Sequence, residues 1–153
     1  MSDERFTLDT NILVYSVDRR DLSRHARAAQ IVRRAHAASC WLTLQAVSEF
    51  YTVVTRKNVV SRPEASRVAG YWLDVFPTVA ATEATVRSAL AVAETERTAY
   101  WDALLIATAA AAGCTAILTE DMSDGSSLYG VRIVNPFIGD AIPSAVLRLF
   151  DAV

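Results

Sequence analysis

Short apolar runs along the chain alternate with stretches whose apolar residues recur at helical spacing, and that order predicts the architecture. Phe6-Thr7-Leu8-Asp9 reads as a short strand running into the turn-prone Asp9-Thr10-Asn11, and Ile12–Tyr15 as a single helical turn. A charged loop at 18–21 follows. Ser23 is placed to N-cap a helix to about Ala38, with Ala28, Ile31, Val32 and Ala35 on one face. Trp41–Leu44 is a β-like run. Gln45 to about Lys57 reads as a helix on the spacing of Ala46, Phe50, Val53 and Val54. Pro63 suits the first turn of a helix to about Val75. Pro77–Ala80 is a short strand candidate, and Thr82 can N-cap a helix to about Arg97. Trp101–Ala112 is apolar nearly all round, the mark of a buried helix, and Gly113 fits the position just past its end. Thr115–Leu118 and Val131–Val134 read as strands around a polar stretch at 119–125, and Pro143–Ala152 as a last helix. Short strands separated by helices predict an α/β fold, a short parallel central sheet flanked by helices on both faces. No repeat, linker or composition break divides the chain, so a single domain over 1–153 is expected.

Composition narrows the class. The chain has 153 residues, 52% of them hydrophobic. A chain of that size buries roughly 68–70% of its unfolded surface, which excludes disorder as its main state. Five Gly and four Pro exclude a collagenous or low-complexity chain. The longest apolar run, Ala103–Ala112, is about half of what a membrane span needs. Met1–Arg5 is charged and lacks the apolar core of a signal peptide. Cys40 and Cys114 are far apart, which fits a reducing compartment. A cytoplasmic protein without membrane contact is the expectation. Net charge is −2, from 15 basic and 17 acidic residues. If four of the acids occupied one pocket, 13 would remain against the 15 basic residues, so the total hides any basic surface. All but Lys57 of the basic residues are Arg, the better fork for phosphate.

Four carboxylates carry the candidate chemistry. Asp9 ends the first strand and Asp121 follows the Ile117-Leu118 strand, both at the sheet edge where α/β proteins bind ligands. Asp102 opens the apolar helix, and Glu49 lies mid-helix beside Phe50 and Tyr51. Singly, each has an ordinary reading: Asp102 as a cap, Glu49 as a solvated helix residue, Asp9 and Asp121 as turn acids. Taken together they point elsewhere, since converging carboxylates repel unless a cation holds them. An oxygen-only donor set suits Mg²⁺ or Mn²⁺, which can activate water and neutralise charge on a phosphate. Asn11 and Thr119 are neutral oxygen donors nearby, and Asp124 is a further candidate.

Leu8-Asp9-Thr10-Asn11-Ile12-Leu13, Ser48-Glu49-Phe50, Trp101-Asp102-Ala103-Leu104-Leu105-Ile106-Ala107 and Leu118-Thr119-Glu120-Asp121 resemble, in this order, the motifs of PIN-domain proteins. The resemblance runs from Phe6 to about Pro136, and the chain's size is similar to that of VapC-type toxins of bacterial toxin–antitoxin pairs. It implies a metal-dependent endoribonuclease acting on single-stranded or loop RNA, tRNA or rRNA. It implies Mg²⁺ or Mn²⁺ held by Asp9, Asp102 and Asp121, with Glu49 positioning or deprotonating water. Thr10, Asn11 and Thr119 match supporting positions, with Asp124 a further one. A homodimer and a small antitoxin partner are also implied.

For RNA contact, Arg24, Arg27 and Arg34 have near-helical spacing, and Arg56 and Lys57 end the Glu49 helix. Tyr51, Trp72, Tyr100 and Trp101 read first as core or subunit interface. The alternative is a non-catalytic PIN-like module that binds RNA or protein. Receiver and haloacid-dehalogenase-like folds lean on a Lys near the phosphate, and the only Lys here ends a helix; the phosphatases' Asp-x-Asp is also absent. Walker A, GxGxxG and Gly-x-Ser-x-Gly patterns are missing.

Overall fold

The computed structural model describes residues 3–151. Met1 and Ser2, which begin the charged leading segment, and Ala152, the last residue of the expected closing helix, lie outside the described residues. The order is β1 (Phe6–Leu8), α1 (Thr10–Tyr15), α2 (Leu22–Ala35), β2 (Leu42–Thr43), α3 (Leu44–Arg56), α4 (Arg62–Val75), β3 (Thr78–Val79), α5 (Glu83–Ala93), α6 (Tyr100–Ala111), β4 (Ala116–Leu118), β5 (Ser127–Leu128), β6 (Val131–Val134) and α7 (Ser144–Phe150).

The main sheet has the order β1-β4-β6-β5, with β1, β4 and β6 parallel. Phe6, Thr7 and Leu8 are all fully buried, as are Ala116, Ile117 and Leu118. Successive strand residues face opposite sides, so helices cover both faces. β2 and β3 form a small parallel pair, joined to β1 by a bridge between Phe6 and Cys40. One edge departs from the expected parallel sheet: β5 runs antiparallel to β6. Its two residues carry no alternation to read; pairing with β6 creates the strand.

Helix starts follow side-chain chemistry. Thr43, Ser61 and Thr82 each accept a backbone N–H inside the helix they precede. The cap of α2 is Asp21 rather than the expected Ser23, its carboxylate taking the N–H of Arg24 at 3.1 Å. α5 stops at Ala93, short of Arg97, and Glu96 then turns at φ 59°. Gly113 takes φ 86° after α6. The N–H groups of Gly113 and Cys114 bond to Ala110 O and Ala109 O, a Schellman closure. Both cysteines are buried free thiols, and burial pushes Cys114 up to about 11. Among the described residues no helix is long and apolar enough to cross a membrane.

Candidate active site

Strand register starts the site. Leu8 lies opposite Leu118 and Leu118 opposite Val134, so the next residues, Asp9 and Thr119, emerge side by side at the carboxyl edge. The backbone continues the ladder there: Asp9 N donates to Leu118 O at 2.9 Å and Thr119 N to Val134 O at 3.0 Å. Asp9 also caps α1, taking the Thr10 N–H at 2.7 Å. The Thr119 hydroxyl donates to its other oxygen at 2.7 Å. That commits the Thr119 proton, so its oxygen accepts from Asn11 Nδ2 at 3.3 Å and from the Asp121 N–H at 3.2 Å. The same count fixes the Asn11 amide, leaving Asn11 Oδ1 buried without a partner.

Glu49 enters from α3 and is held at both oxygens. Thr10 Oγ1 donates to Oε2 at 3.1 Å, and Gln45 Nε2 to Oε1 at 3.0 Å. Gln45 Nε2 also reaches Trp101 O at 3.0 Å, tying α3 to the first turn of α6 that carries Asp102. Asp102 is not a cap, because Ala99 takes that position.

One cavity of about 390 Å³ brings Asp9, Glu49, Asp102 and Asp121 together with Thr10, Asn11 and Lys57. Thr119 lies behind it, fully buried. Asp124 is not brought in: it is exposed, and its carboxylate takes the Asn135 N–H at 2.8 Å. Asp18, read in sequence only as part of a charged loop, does line the cavity, but Arg20 forks onto it at 2.9 and 2.8 Å and holds its carboxyl below the usual range. Gln45 joins the site as well, and its sequence signal is the four-residue spacing to Glu49 on one helix face. Arg97 carries no sequence signal for the site. It lines an adjoining hollow of about 370 Å³ that shares Asp102 and Asp121.

The electrostatics show what the carboxylates lack. Asp9 is 6% exposed. Burial pushes its carboxyl up to about 6, against the pull of the Thr119 and Thr10 hydrogen bonds, with Asp102 and Asp121 raising it further. Asp102 is raised by burial, then by Asp121 and Glu49. Among the described residues, no three His, Cys or acidic side chains stand ready to enclose an ion directly. The donor set nonetheless fits a hard divalent cation. It is all oxygen, its carboxylates come from four separate elements and repel one another, and Asn11 offers an unused carbonyl oxygen. An ion that keeps several of its waters suits such a set.

The expected arginine stripe serves the fold. Arg24 bonds to Glu120 at 2.9 Å and Asp21 at 3.2 Å, Arg27 to the carbonyls of Pro136 and Gly139, and Arg34 lies 4.8 Å over the Phe150 ring. Lys57 and Arg97 have no side-chain partner among the described residues, and they flank the carboxylates from the two cavities.

The PIN domain family model matches residues 6–123, which spans β1 and all four acids. The chain belongs to the PIN-domain family. Among curated proteins, none matches it in sequence. Solved structures with this PIN fold include VapC20 of Mycobacterium tuberculosis, described as a sarcin–ricin loop cleaving toxin, at 18% identity and a TM-score of 0.60, covering 73% of this chain and 86% of that one. A toxin–antitoxin complex from Klebsiella pneumoniae matches at 20% identity and a TM-score of 0.61, covering 86% and 97%. VapBC2 of Rickettsia felis, bound to a DNA fragment from its promoter, matches at 14% identity and a TM-score of 0.60, covering 85% and 97%.

Proposed function

We propose that this PIN domain is the toxin of a type II toxin–antitoxin pair, a Mg²⁺- or Mn²⁺-dependent endoribonuclease that cuts single-stranded or loop RNA of the tRNA or rRNA class. The observation that carries the reading is the convergence of Asp9, Glu49, Asp102 and Asp121 on one cavity at the carboxyl edge of the sheet. The named activity of VapC20 and the antitoxin complexes among the structural neighbours support it.

Asp9, Asp102 and Asp121, with Asn11 Oδ1, would hold the ion. The chemistry such an ion would supply there is neutralisation of the charge that builds on a scissile phosphate. Glu49, steadied by Thr10 and Gln45, accepts the proton of the attacking water. Lys57 and Arg97 take neighbouring phosphates and set the strand's course without reading bases. A cytoplasmic toxin of this kind works as a homodimer restrained by a small antitoxin. Exposed Tyr71 and Leu73 on α4 and Leu90 on α5 leave apolar surface for such contacts.

The test is incubation with purified tRNAs and total RNA, in Mg²⁺, in Mn²⁺ and in EDTA, beside Asp102→Asn. Discrete products that vanish with EDTA and with the variant are expected. Equal cleavage in EDTA, or full activity of the variant, overturns the reading. A folded chain that binds these RNAs and cuts none in either metal is the outcome expected of a non-catalytic module.

A further inference from the structure

Glu49 also edges another cavity, of about 420 Å³, which Asp9, Asp102 and Asp121 do not line. Leu44, Ala80, Ala81, Leu104 and Trp101 form its apolar walls, and Gln45 and Ser48 join Glu49 at its polar side. Trp101 is 61% exposed, unusual for the largest apolar residue type in a chain whose Trp72 is buried. It is nonetheless held in place. Tyr100 packs edge-on against it, centroids 5.1 Å apart at 71°, and its carbonyl is tied through Gln45 to Glu49. An exposed ring, braced on one edge by Tyr100, thus stands one residue from Asp102, on a backbone joined to Glu49 through Gln45.

A flat apolar face with polar edges fits such a place, and a strand threaded through the acid cleft carries one on every ribose. We propose that this cavity takes one unpaired nucleobase of the cut strand, stacked on Trp101. The proposal rests on the ribonuclease reading and deepens it: bases in a duplex are stacked on their neighbours and cannot offer a face, so the cavity selects single strands and loops. The Ser48 hydroxyl beside it is already donated to Leu44 O at 2.7 Å. Walls this apolar discriminate by stacking area, which favours a purine over a pyrimidine.

The test is fluorescence anisotropy of labelled oligo-A, oligo-C and oligo-U RNA with the full chain in EDTA, so that binding is read apart from cleavage. Oligo-A binds tightest. Trp101→Ala weakens it about 10-fold, and Trp101→Phe restores most of the loss. Replacing one nucleotide of oligo-A at a time with an abasic one locates a single position whose loss matches that of Trp101→Ala and does not add to it. Equal affinity of wild type and Trp101→Ala for all three RNAs overturns the base site. Metal-dependent cleavage by the wild type would leave the ribonuclease reading standing in that case. A dimer that becomes a monomer on Trp101→Ala, with RNA affinity unchanged, assigns the ring to a subunit contact and also overturns it. A wild-type chain that neither binds nor cuts RNA removes both readings.

Discussion

Thr119 is the residue on which the site turns. One hydroxyl gives its proton to Asp9 and accepts from Asn11 and from the Asp121 backbone, linking three of the elements around the cleft. Thr119→Val keeps the shape and deletes all three bonds. Urea unfolding should show a loss of about 1–3 kcal/mol, because Asp9 Oδ2 and Asn11 Nδ2 lose their partner. The Asp9 carboxyl should also rise further, since the Thr119 hydrogen bond holds it down. Asp9 itself gives a pH signature. Its folded value, about 6, lies above the ordinary 3.8, so the folded state binds the extra proton. Its contribution to stability is full below about pH 4 and is lost as pH rises through about 6; the gap corresponds to about 3 kcal/mol. Without metal, the stability of wild type minus that of Asp9→Asn should therefore fall across that window. A difference that stays flat would contradict the account. The subtraction matters, because Asp18, held low by Arg20, contributes with the opposite sign.

Among the elements, those with local chemistry were legible in sequence: β1 and β6, the Thr82 cap, Pro63 in the first turn of α4, and Gly113 after α6. What the chain hid depends on partners distant in sequence. β5 exists because β6 pairs with it. Asp21 and Ser23 are both good caps, and what decides for Asp21 is that its carboxylate reaches the Arg24 N–H. The meeting of the four acids at one cavity was legible because each sits at a strand end or helix position with its own motif, whereas Asp124 has similar surroundings in sequence and folds outward to Asn135. Half of Gln45's role was legible, in its four-residue spacing to Glu49; the other half was not, since its second partner, Trp101, arrives from α6. Removing that clip tests whether α3 must be fastened to α6 for catalysis. Gln45→Ala should lower kcat about 10-fold, as misplacing the proposed proton acceptor does, with a smaller rise in KM because Gln45 also lines the cavity beside Trp101. A change in KM alone would contradict that role.

At the scale of the molecule, the net charge is −2, and Arg20, Arg24 and Arg27 are bonded to Asp18, to Glu120 and Asp21, and to backbone carbonyls. Lys57 and Arg97 are the unpaired cations in the two cavities that share Asp102 and Asp121. Two phosphate contacts predict a shallow salt dependence for single-stranded RNA, a slope of log K against log salt of about −1.4. A slope of about −5 would mean that the strand touches many more cations than these two and would contradict the account. The central claim is that four carboxylates from four elements make one working site. The measurement that tests it most directly is the RNA cleavage rate of Asp9→Asn, Glu49→Gln, Asp102→Asn and Asp121→Asn, singly and all together, in Mg²⁺. Groups that act as a unit are non-additive, so each single change should cost at least about 100-fold and the quadruple variant little more than the worst single one. Losses that multiply across the four, or one variant with wild-type activity, would contradict a shared site.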